Sequence, residues 1–461
     1  MAARFRVVCL GMVSLLVYGG ISWLSHAFVY GQGYRHRPIL AFVGLYAGAF
    51  VLYLLALRGL PRLPRPRLDV LLILGCAVLF RVVLLFSAPI QEDDFYRYLW
   101  DGTMVAHGLN PYSVAPRTVL EEGGSEELQR YATMPADEAR FALILSRVNH
   151  PEVPTIYPPL AQALFGLTAL LAPGSLLALR LAFLGFDLGI CGLVLAVLKH
   201  LGINPVWVLI YAWSPLVIKE SVNSAHYDAV PTLFLVLALL LSLKGKALLA
   251  HGSLALAILG KVYPLLLVPV FMWRTWVTQG RARALLGLSV TAVVVALGYV
   301  PFLEAGLLLW QGTLTFAERW QTNSLIFPLL DSLVRERWVA NTLVAVVLGG
   351  TVPALLSRFD LREERRFLWV NFLTLGVLFL LSPVGNPWYF LWLVPFLCIF
   401  PLRSWLLLSG LLGLYYLSFY FIYREAAETF RWVIWLEYLP FYGMLIWEMK
   451  TKTSNVRSNE D

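Results

Sequence analysis

QEDDFYRYLWDGTMVAHGLNPYSVAP, from Gln91 to Pro116, is the first long polar stretch of the chain. Three apolar segments precede it, and its carboxylates begin directly after the third. Acidic side chains beside a membrane span are costly unless they are paired or functional. We therefore interpret this stretch as a catalytic loop that faces an aqueous compartment.

The composition is that of a membrane protein. Of the 461 residues, 59% are hydrophobic and 14% are charged, whereas soluble domains carry about 25% charged residues. Apolar runs of roughly 17–25 residues, the length that crosses a bilayer, recur from end to end. The alternating ten-residue segments of a β-barrel do not occur in the sequence. The sequence therefore predicts an all-α polytopic membrane protein surrounded by membrane lipids.

Charge and cysteine usage exclude several functional classes. The net charge of +8 does not indicate nucleic-acid binding, because Lys and Arg occupy short loops between spans, where they set orientation. The four cysteines lie in apolar runs without metal or disulfide spacing. No Walker, GxSxG or HExxH motif and no soluble nucleotide-binding domain is evident. An activated donor used outside the membrane should therefore be carried on a lipid.

Basic residues predict that the quoted stretch lies outside the cell. Arg4 and Arg6 precede the first apolar run, and RGLPRLPRPR, from Arg58 to Arg67, separates the second from the third. If both lie in the cytoplasm, the outer loop from about residue 90 to 156 is extracytoplasmic. We expect the first run to be a retained helix rather than a signal peptide, because another span follows closely. We expect Glu121–Arg140 to form short surface helices.

The remaining sequence predicts about 13 spans in a single integral-membrane domain, residues 1–450, with both termini in the cytoplasm. Residues 451–461 are expected to be a disordered cytoplasmic tail. Leu160–Ala172 is short for a span and leaves two topologies open. If it crosses, Lys219–Asp228 is cytoplasmic; if it only dips into the membrane or lies along it, Asn223–Asp228 is outside. The basic residues after the neighbouring spans favour the second topology.

The first candidate site is Asp93-Asp94-x-x-Arg97. Residues three apart share a helix face, so Asp94 and Arg97 can pair. Such a pair would keep Asp94 ionised as a base. Tyr98 and Asp101 follow closely and extend the candidate site. The alternative is that these side chains only cap and solvate a surface helix.

Two later polar positions are further candidates. His226 and Asp228 lie between two apolar segments, where Asp228 is equally suited to cap the next helix. Lys261 interrupts the apolar stretch Ala247–Trp273, and a lone lysine there is a functional candidate by default. Its ammonium suits a phosphate, and the alternative is a side chain that snorkels to the interface.

Aromatic residues at the ends of spans complete the candidate set. Tyr157 precedes Pro158-Pro159, and Trp388 follows Asn386 in the sequence NPWY. Aromatic residues at such positions form interfacial belts. The same side chains are also suited to stack on a sugar, and the sequence leaves both interpretations open.

Five motifs together resemble the GT-C glycosyltransferases, the integral-membrane superfamily that uses polyprenyl-phosphate-linked sugars. In particular, the chain is similar to bacterial polyprenol-phosphate-mannose-dependent mannosyltransferases and their glycosyltransferase-87-type relatives, from about residue 70 to 400. The motifs, in their expected order, are DDFYRYLWDG (Asp93–Gly102), GLNPY (Gly108–Tyr112), PTIYPPLAQALF (Pro154–Phe165), YAWSPLVIKESVNSAHYDA (Tyr211–Ala229) and LGKVYPLLLVP (Leu259–Pro269).

The resemblance implies a GT-C-type bundle with a large first catalytic outer loop. It implies an inverting hexosyltransferase that moves a hexose, with mannose expected, from a polyprenyl-phosphate donor to a lipid or glycan acceptor. The active site would face the extracytoplasmic side of the cell inner (plasma) membrane. One departure is that three helices precede the catalytic loop here, whereas many relatives have one.

The resemblance also implies roles for individual residues. Asp94 matches the catalytic base, with Asp93 as the alternate, and Asp228 matches an assisting carboxylate. Lys261 matches a basic residue near the donor phosphate, whose charge Arg97 would also stabilise. The further substrate-binding candidates are Tyr98, Asp101, Tyr157, His226, Tyr263, Asn386 and Trp388.

Three questions stay open at this point. No ligand spacing demands a cofactor, but Asp93, Asp94 and Asp228 could hold a hard divalent cation through oxygen ligands, and the sequence leaves metal dependence open. A secondary transporter is an alternative function, although its inverted repeats are not evident in the sequence. A flippase or ligase of lipid-linked glycans also fits a chain with many spans.

Overall fold

The computed structural model describes residues 2–31, 34–60, 63, 66–122 and 138–457. In these ranges the chain is helical, and its only strand-like contact is an isolated parallel bridge between Thr322 and Val384. The all-α prediction is therefore confirmed. The middle of the expected surface-helix segment, residues 123–137, lies outside the described ranges, as do residues 61–62 and 64–65 of the basic loop.

Eight α-helices lie in the described ranges from the N-terminus to residue 200, and the fourth begins inside the quoted stretch. They are α1 (Ala2–Ser25), α2 (Ile39–Leu57), α3 (Pro66–Leu85), α4 (Asp94–Ala106), α5 (Pro116–Glu122), α6 (Glu138–Ser146), α7 (Pro159–Leu171) and α8 (Leu176–His200). The short helices α5 and α6 flank the undescribed part of the outer loop.

The middle of the chain is broken into shorter helices. They are α9 (Leu209–Ala212), α10 (Pro215–Ile218), α11 (Ala229–Leu243), α12 (Ala247–Gly260), α13 (Val268–Gln279) and α14 (Arg281–Tyr299). A π-helical turn, Lys219–Asn223, follows α10, and a 3-10 segment, Tyr263–Leu267, separates α12 from α13. Lys261, which interrupts the apolar stretch Ala247–Trp273 in the sequence, therefore lies at a break between two helices.

The C-terminal helices complete the bundle. They are α15 (Leu308–Arg319), α16 (Ile326–Val334), α17 (Arg337–Arg358), α18 (Glu364–Leu381), α19 (Val394–Leu397), α20 (Arg403–Leu411), α21 (Leu417–Ile422) and α22 (Phe430–Arg457). The backbone of α22 continues as helix into the segment predicted to be a disordered tail, and residues 458–461 lie outside the described ranges.

Seven helices of the described chain are long and apolar enough to cross a membrane. They are Arg4–Ser25, Ile39–Leu57, Pro66–Leu85, Leu176–His200, Arg281–Ala305, Arg337–Arg358 and Arg403–Ile422. Three shorter apolar helices, α7, α11 and α12, accompany them. The protein is thus a polytopic membrane protein, and the count of about 13 spans stays a prediction.

A buried ion pair joins two of the long helices. Arg81 of α3 pairs with Asp187 of α8, and both side chains are inaccessible to solvent. The carboxylate also accepts a hydrogen bond from the Tyr211 hydroxyl at 2.7 Å, and Arg81 donates to the Ala212 carbonyl at 2.7 Å. Buried charges are tolerated when hydrogen bonds satisfy them in this way. The network fixes α3 and α8 against the short helix α9.

Helix α4, which begins inside the quoted stretch, lies directly along α7. The two helices approach closely because glycines meet at the contact. A Cβ atom at Gly102 would stand 2.4 Å from the Phe165 carbonyl oxygen, and one at Gly166 would stand 2.6 Å from Val105. Only glycine permits this separation. The contact fixes the orientation of α4 and of the carboxylates at its start.

Candidate active site

A cavity of about 900 Å³ opens beside the start of α4. Nine of the twelve predicted site residues line it: Asp93, Asp94, Arg97, Tyr98, Tyr157, Lys261, Tyr263, Asn386 and Trp388. Asp101, His226 and Asp228 do not reach the wall and lie behind it, each at most 1% exposed. Nine of the predicted residues therefore line one cavity, and the other three lie buried behind its wall.

Two buried side chains hold the residues just before the quoted stretch against the turn that carries His226. Asn223 accepts from the Ile90 backbone N–H at 3.1 Å and donates to the Ser87 hydroxyl at 2.7 Å. Arg180 donates to the Ser87 carbonyl at 2.5 Å and to the Asn223 carbonyl. Asn223–Asp228 consequently lies at the same end of the bundle as the quoted stretch, and which side of the membrane this end faces stays a prediction.

Asn149 bridges the two adjacent aspartates. Asp94 is the first residue of α4, and Asp93 precedes it without capping the helix through its side chain. The Asn149 amide donates to Asp94 Oδ1 at 2.6 Å and to Asp93 Oδ1 at 3.1 Å. The sequence interpretation missed Asn149, because a single polar residue before Pro151 carries no distinctive signal. This amide fixes both carboxylates at the cavity wall.

His226 lies directly behind Asp94. Its Nε2 atom is 3.7 Å from Asp94 Oδ2, and its Nδ1 atom is 3.0 Å from Glu220 Oε2. Its ring stacks on Trp388, with 3.9 Å between centroids. The expectation that His226 contacts substrate is therefore not supported by its position, since Trp388, rather than His226, faces the cavity. Glu220 was missed, although it belongs to the same quoted motif.

The predicted ion pair between Asp94 and Arg97 does not form. Arg97 instead donates to the backbone carbonyls of Val153 at 2.9 Å and His150 at 3.1 Å. Three-residue spacing permits a pair but does not require one, and here the carbonyls of a distant segment take the guanidinium. Arg97 therefore anchors the wall segment that also carries Asn149.

Asp101 also has a supporting position. Its Oδ2 atom accepts from the Thr155 hydroxyl at 2.5 Å and from the Gln162 amide at 3.0 Å. Because Gln162 belongs to α7, the carboxylate joins α4, α7 and the segment between them. Burial raises the pKa of Asp101 above its usual range, although the nearby Arg97 charge acts in the opposite direction. Asp101 does not line the cavity, so its position does not support the expected contact with substrate.

Asp228 and Lys261 form the second charged element. Lys261 Nζ is 2.7 Å from Asp228 Oδ1, which also accepts from the Trp392 indole N–H at 2.8 Å. Asp228 occupies the N-cap position of α11, but its side chain does not cap the helix. The capping interpretation is therefore wrong, because the lysine and the indole take the carboxylate. Lys261 reaches the cavity, and Asp228 neutralises it from behind.

Aromatic rings surround Lys261 and the adjoining wall. The ammonium lies 4.1 Å from the centroid of the Tyr389 ring and 5.1 Å from that of Tyr227. Tyr263 stacks on Trp392 with 3.8 Å between centroids. Tyr157 packs edge-on against Tyr98, at 5.1 Å. These flat faces are suited to an apolar sugar face, and cations bind favourably over them.

Glu92 is a third carboxylate on the cavity wall, and the sequence interpretation did not single it out. Burial raises its pKa well above the usual range, reinforced by the nearby carboxylates. Burial and the charge of Asp94 raise the pKa of Asp93 to about 6. Close carboxylates titrate as a coupled set. The wall thus places two carboxyls with raised pKa values, Glu92 and Asp93, beside Asp94.

The proposed oxygen ligands for a divalent cation do not assemble. The described ranges contain no group of three or more His, Cys, Asp or Glu side chains arranged to hold a metal ion. Asp228 already binds the Lys261 ammonium, which would repel a cation. The set Asp93, Asp94 and Asp228 therefore does not fit a metal site.

Comparison with known proteins identifies the family. A family model described as "Alpha-(1->6)-mannopyranosyltransferase, N-terminal domain" matches residues 7–278. This range covers more than half of the chain and contains the aspartates and Lys261 of the cavity. No curated protein matches the chain. The chain therefore belongs to the alpha-(1->6)-mannopyranosyltransferase family and is a membrane glycosyltransferase whose activity is mannosyl transfer between a sugar donor and an acceptor.

Proposed function

We propose that the protein transfers mannose from a polyprenyl-phosphate donor to a lipid or glycan acceptor, with inversion at the anomeric carbon. The observation that carries this proposal is that Asp94 and Lys261 line one cavity, a carboxylate and an ammonium at the same space. Displacement of a sugar phosphate needs these two groups: a base for the attacking hydroxyl and a cation for the leaving phosphate.

Asp94 is the base in this proposal. Its Oδ1 atom is fixed by Asn149, and among the described residues no side chain donates a hydrogen bond to its Oδ2 atom, which lies 3.7 Å from His226 Nε2. An acceptor hydroxyl can therefore donate to Oδ2 as its oxygen attacks the anomeric carbon. The proton moves to Asp94, the new glycosidic bond forms, and the bond from sugar to phosphate breaks. A single displacement of this kind inverts the anomeric centre.

Lys261 stabilises the departing phosphate. Its ammonium is already partly desolvated, with 16% of the side chain exposed, so its charge acts strongly on an anion in the cavity. Asp228 keeps the lysine in place through the 2.7 Å contact. Arg97 acts indirectly. It orders the segment that carries Asn149 and does not occupy the phosphate position.

The lipid-borne donor and the extracytoplasmic location rest on the sequence. No nucleotide-binding motif is evident, and the basic loops predict that the quoted stretch lies outside the cytoplasm. Those two features support a polyprenyl-phosphate sugar at the outer face of the inner (plasma) membrane. The aromatic walls at Trp388 and Tyr157 support a hexose between them.

Purified protein in nanodiscs tests the donor class. We expect labelled mannose to reach an acceptor from polyprenyl-phosphate mannose and not from a nucleoside-diphosphate mannose. An alpha product made with inversion requires a beta-linked donor, so the alpha-linked donor should be inactive. Transfer from the nucleotide sugar alone, or transfer with retained configuration, would contradict the proposal. Right-side-out membrane vesicles given a short-chain, water-soluble donor test the location of the site.

A further inference from the structure

His226 and Glu220 form a buried dyad behind the proposed base. His226 is fully buried, and Glu220 is 1% exposed. The imidazole Nδ1 atom is 3.0 Å from Glu220 Oε2, and Nε2 points to Asp94 Oδ2 at 3.7 Å. Nε2 has no hydrogen-bond partner, although it is buried. An orphaned ring nitrogen aimed at a catalytic carboxylate requires an explanation.

The surroundings of Glu220 favour its ionised form. Oε1 accepts from the Tyr416 hydroxyl at 2.7 Å, and Oε2 accepts from the Ser224 hydroxyl at 3.2 Å. Lys219 Nζ lies 3.7 Å from Oε2. A carboxylate in these surroundings accepts a hydrogen bond from Nδ1–H of His226, so this ring nitrogen carries the hydrogen. Nε2 of the neutral ring then presents a lone pair towards Asp94.

We propose that the Glu220–His226 dyad is a proton relay that serves Asp94; this inference rests on the proposed function. The acceptor hydroxyl gives its proton to Asp94 as the glycosidic bond forms. Asp94 then passes the proton to His226 Nε2, the ring becomes an imidazolium, and Glu220 stabilises the new charge. When product leaves, the proton returns through Asp94 to water that enters the cavity.

The groups that face His226 determine how readily it accepts this proton. Glu220 faces Nδ1, and Asp94 and Glu92 face Nε2 at 3.7 and 3.9 Å. The Trp388 ring covers one face, where an aromatic ring favours a cation. The imidazolium would thus be surrounded by groups that stabilise it. The neutral ring is nevertheless needed at rest, because only it can accept the proton.

His226 and Glu220 are positioning residues, since neither lines the cavity. Their substitution should change kcat, whereas substitution of a binding residue should change KM. We expect His226→Gln to lower kcat by roughly 100-fold, the lower range for a proton-transfer group, with unchanged KM for the donor. Glu220→Gln should lower kcat in the same way, and both should alter the dependence of kcat on pH. Normal kcat in folded His226→Gln, or a change confined to KM, would overturn the relay.

His251 provides the matched control. It is also fully buried, and its ring nitrogens lie 3.1 Å from the Thr291 hydroxyl and 3.2 Å from that of Thr275, away from the cavity. His251→Gln should therefore keep the kcat of the wild type per folded molecule. An equal loss of kcat in this control would mean that burial, rather than the relay, explains the effect.

A spectroscopic arm needs neither substrate nor a folded His226 variant. The protein has seven histidines, of which His226 and His251 are buried and the other five are exposed. In nitrogen-15 NMR of imidazole-labelled protein, His251→Gln removes one buried signal and so assigns the other. We expect His226 to be neutral with hydrogen on Nδ1 at the pH of activity. An imidazolium there overturns the relay, whereas absent transfer by wild type overturns only the proposed function.

Discussion

Replacing Lys261 with methionine tests the charged half of the proposed site and has a calculable effect on stability. Asp228 is 1% exposed, and its Oδ2 atom has no partner. Removing one partner of a buried pair leaves an uncompensated charge and costs about 3–5 kcal/mol. Lys261→Met should therefore lower the melting temperature of the detergent-solubilised protein markedly.

The double variant Lys261→Met/Asp228→Asn separates stability from function. Removing both members of a buried pair is often close to neutral, and the amide oxygen introduced by Asp228→Asn would still accept from the Trp392 indole, which lies 2.8 Å from the native carboxylate. The melting temperature should therefore recover. Transfer should not recover, because the phosphate still lacks its ammonium.

The expected loss of activity follows from the contact that is removed. A hydrogen bond to a charged group contributes about 1.5–3 kcal/mol, which corresponds to roughly 10- to 150-fold in kcat/KM. Asp228→Asn alone should lose less, because it leaves the Lys261 ammonium at the cavity. Initial rates with labelled polyprenyl-phosphate mannose measure all three variants. Wild-type transfer by the stable double variant would refute the role of Lys261.

Three further predictions follow from individual contacts. Burial and the nearby Asp94 charge raise the pKa of Asp93 to about 6, so Asp93 loses its charge as pH falls through 6. A rate–pH profile should therefore show an acid limb there, and Asp93→Asn should remove it; an unchanged limb would assign it to another group. Arg97→Lys should reduce transfer roughly tenfold, because the lysine side chain is one bond shorter and its ammonium would not reach the position from which a single Arg97 nitrogen donates to the carbonyls of both His150 and Val153. Arg117→Lys, on the surface, should be silent in the same assay. Gly102→Ala should destabilise the protein by about 1–3 kcal/mol, because its Cβ would collide with the Phe165 carbonyl; Gly185→Ala meets no atom within 4 Å and is the control for the melting temperature.

Hydrophobicity and loop charge were sufficient to predict the fold class and the stretch that carries the site. They placed Asp94 directly after an apolar segment and Lys261 within one, and the structure brings both to one cavity. This part was predictable because a bilayer imposes strict lengths and strongly penalises charge within spans. The predictions that Asp94 pairs with Arg97 and that Asp228 caps the next helix, both based on residues close in sequence, were nevertheless wrong.

Arg97 shows why local spacing was insufficient. A three-residue separation favours a pair with Asp94, but the carbonyls of residues 150 and 153 occupy the guanidinium. At Asp228 the local expectation was a helix cap, and an ion pair with Lys261, 33 residues later, replaced it. In a poorly solvated site a charged partner outweighs a backbone N–H. The positions of such partners depend on tertiary packing, which spacing does not encode.

The contact between Asp94 and His226 was beyond sequence reasoning for the same reason. Its two residues belong to motifs that are separated by several helices, and only the packing of α4 beside the turn after α10 brings them together. The sequence suggested that His226 was functional but not that it lies behind the base. The contacts of Glu220 with His226 and of Asn149 with Asp94 likewise depend on that arrangement.

The most direct test of the central claim is the transfer rate of Asp94→Asn beside Asp93→Asn and Asp360→Asn. The asparagine at position 94 keeps the shape and the bond to Asn149 but cannot accept a proton. We expect Asp94→Asn to lose at least 100-fold in kcat, Asp93→Asn to keep more activity, and Asp360→Asn, on an exposed loop, to match wild type. Full transfer by well-folded Asp94→Asn would contradict the assignment of the base.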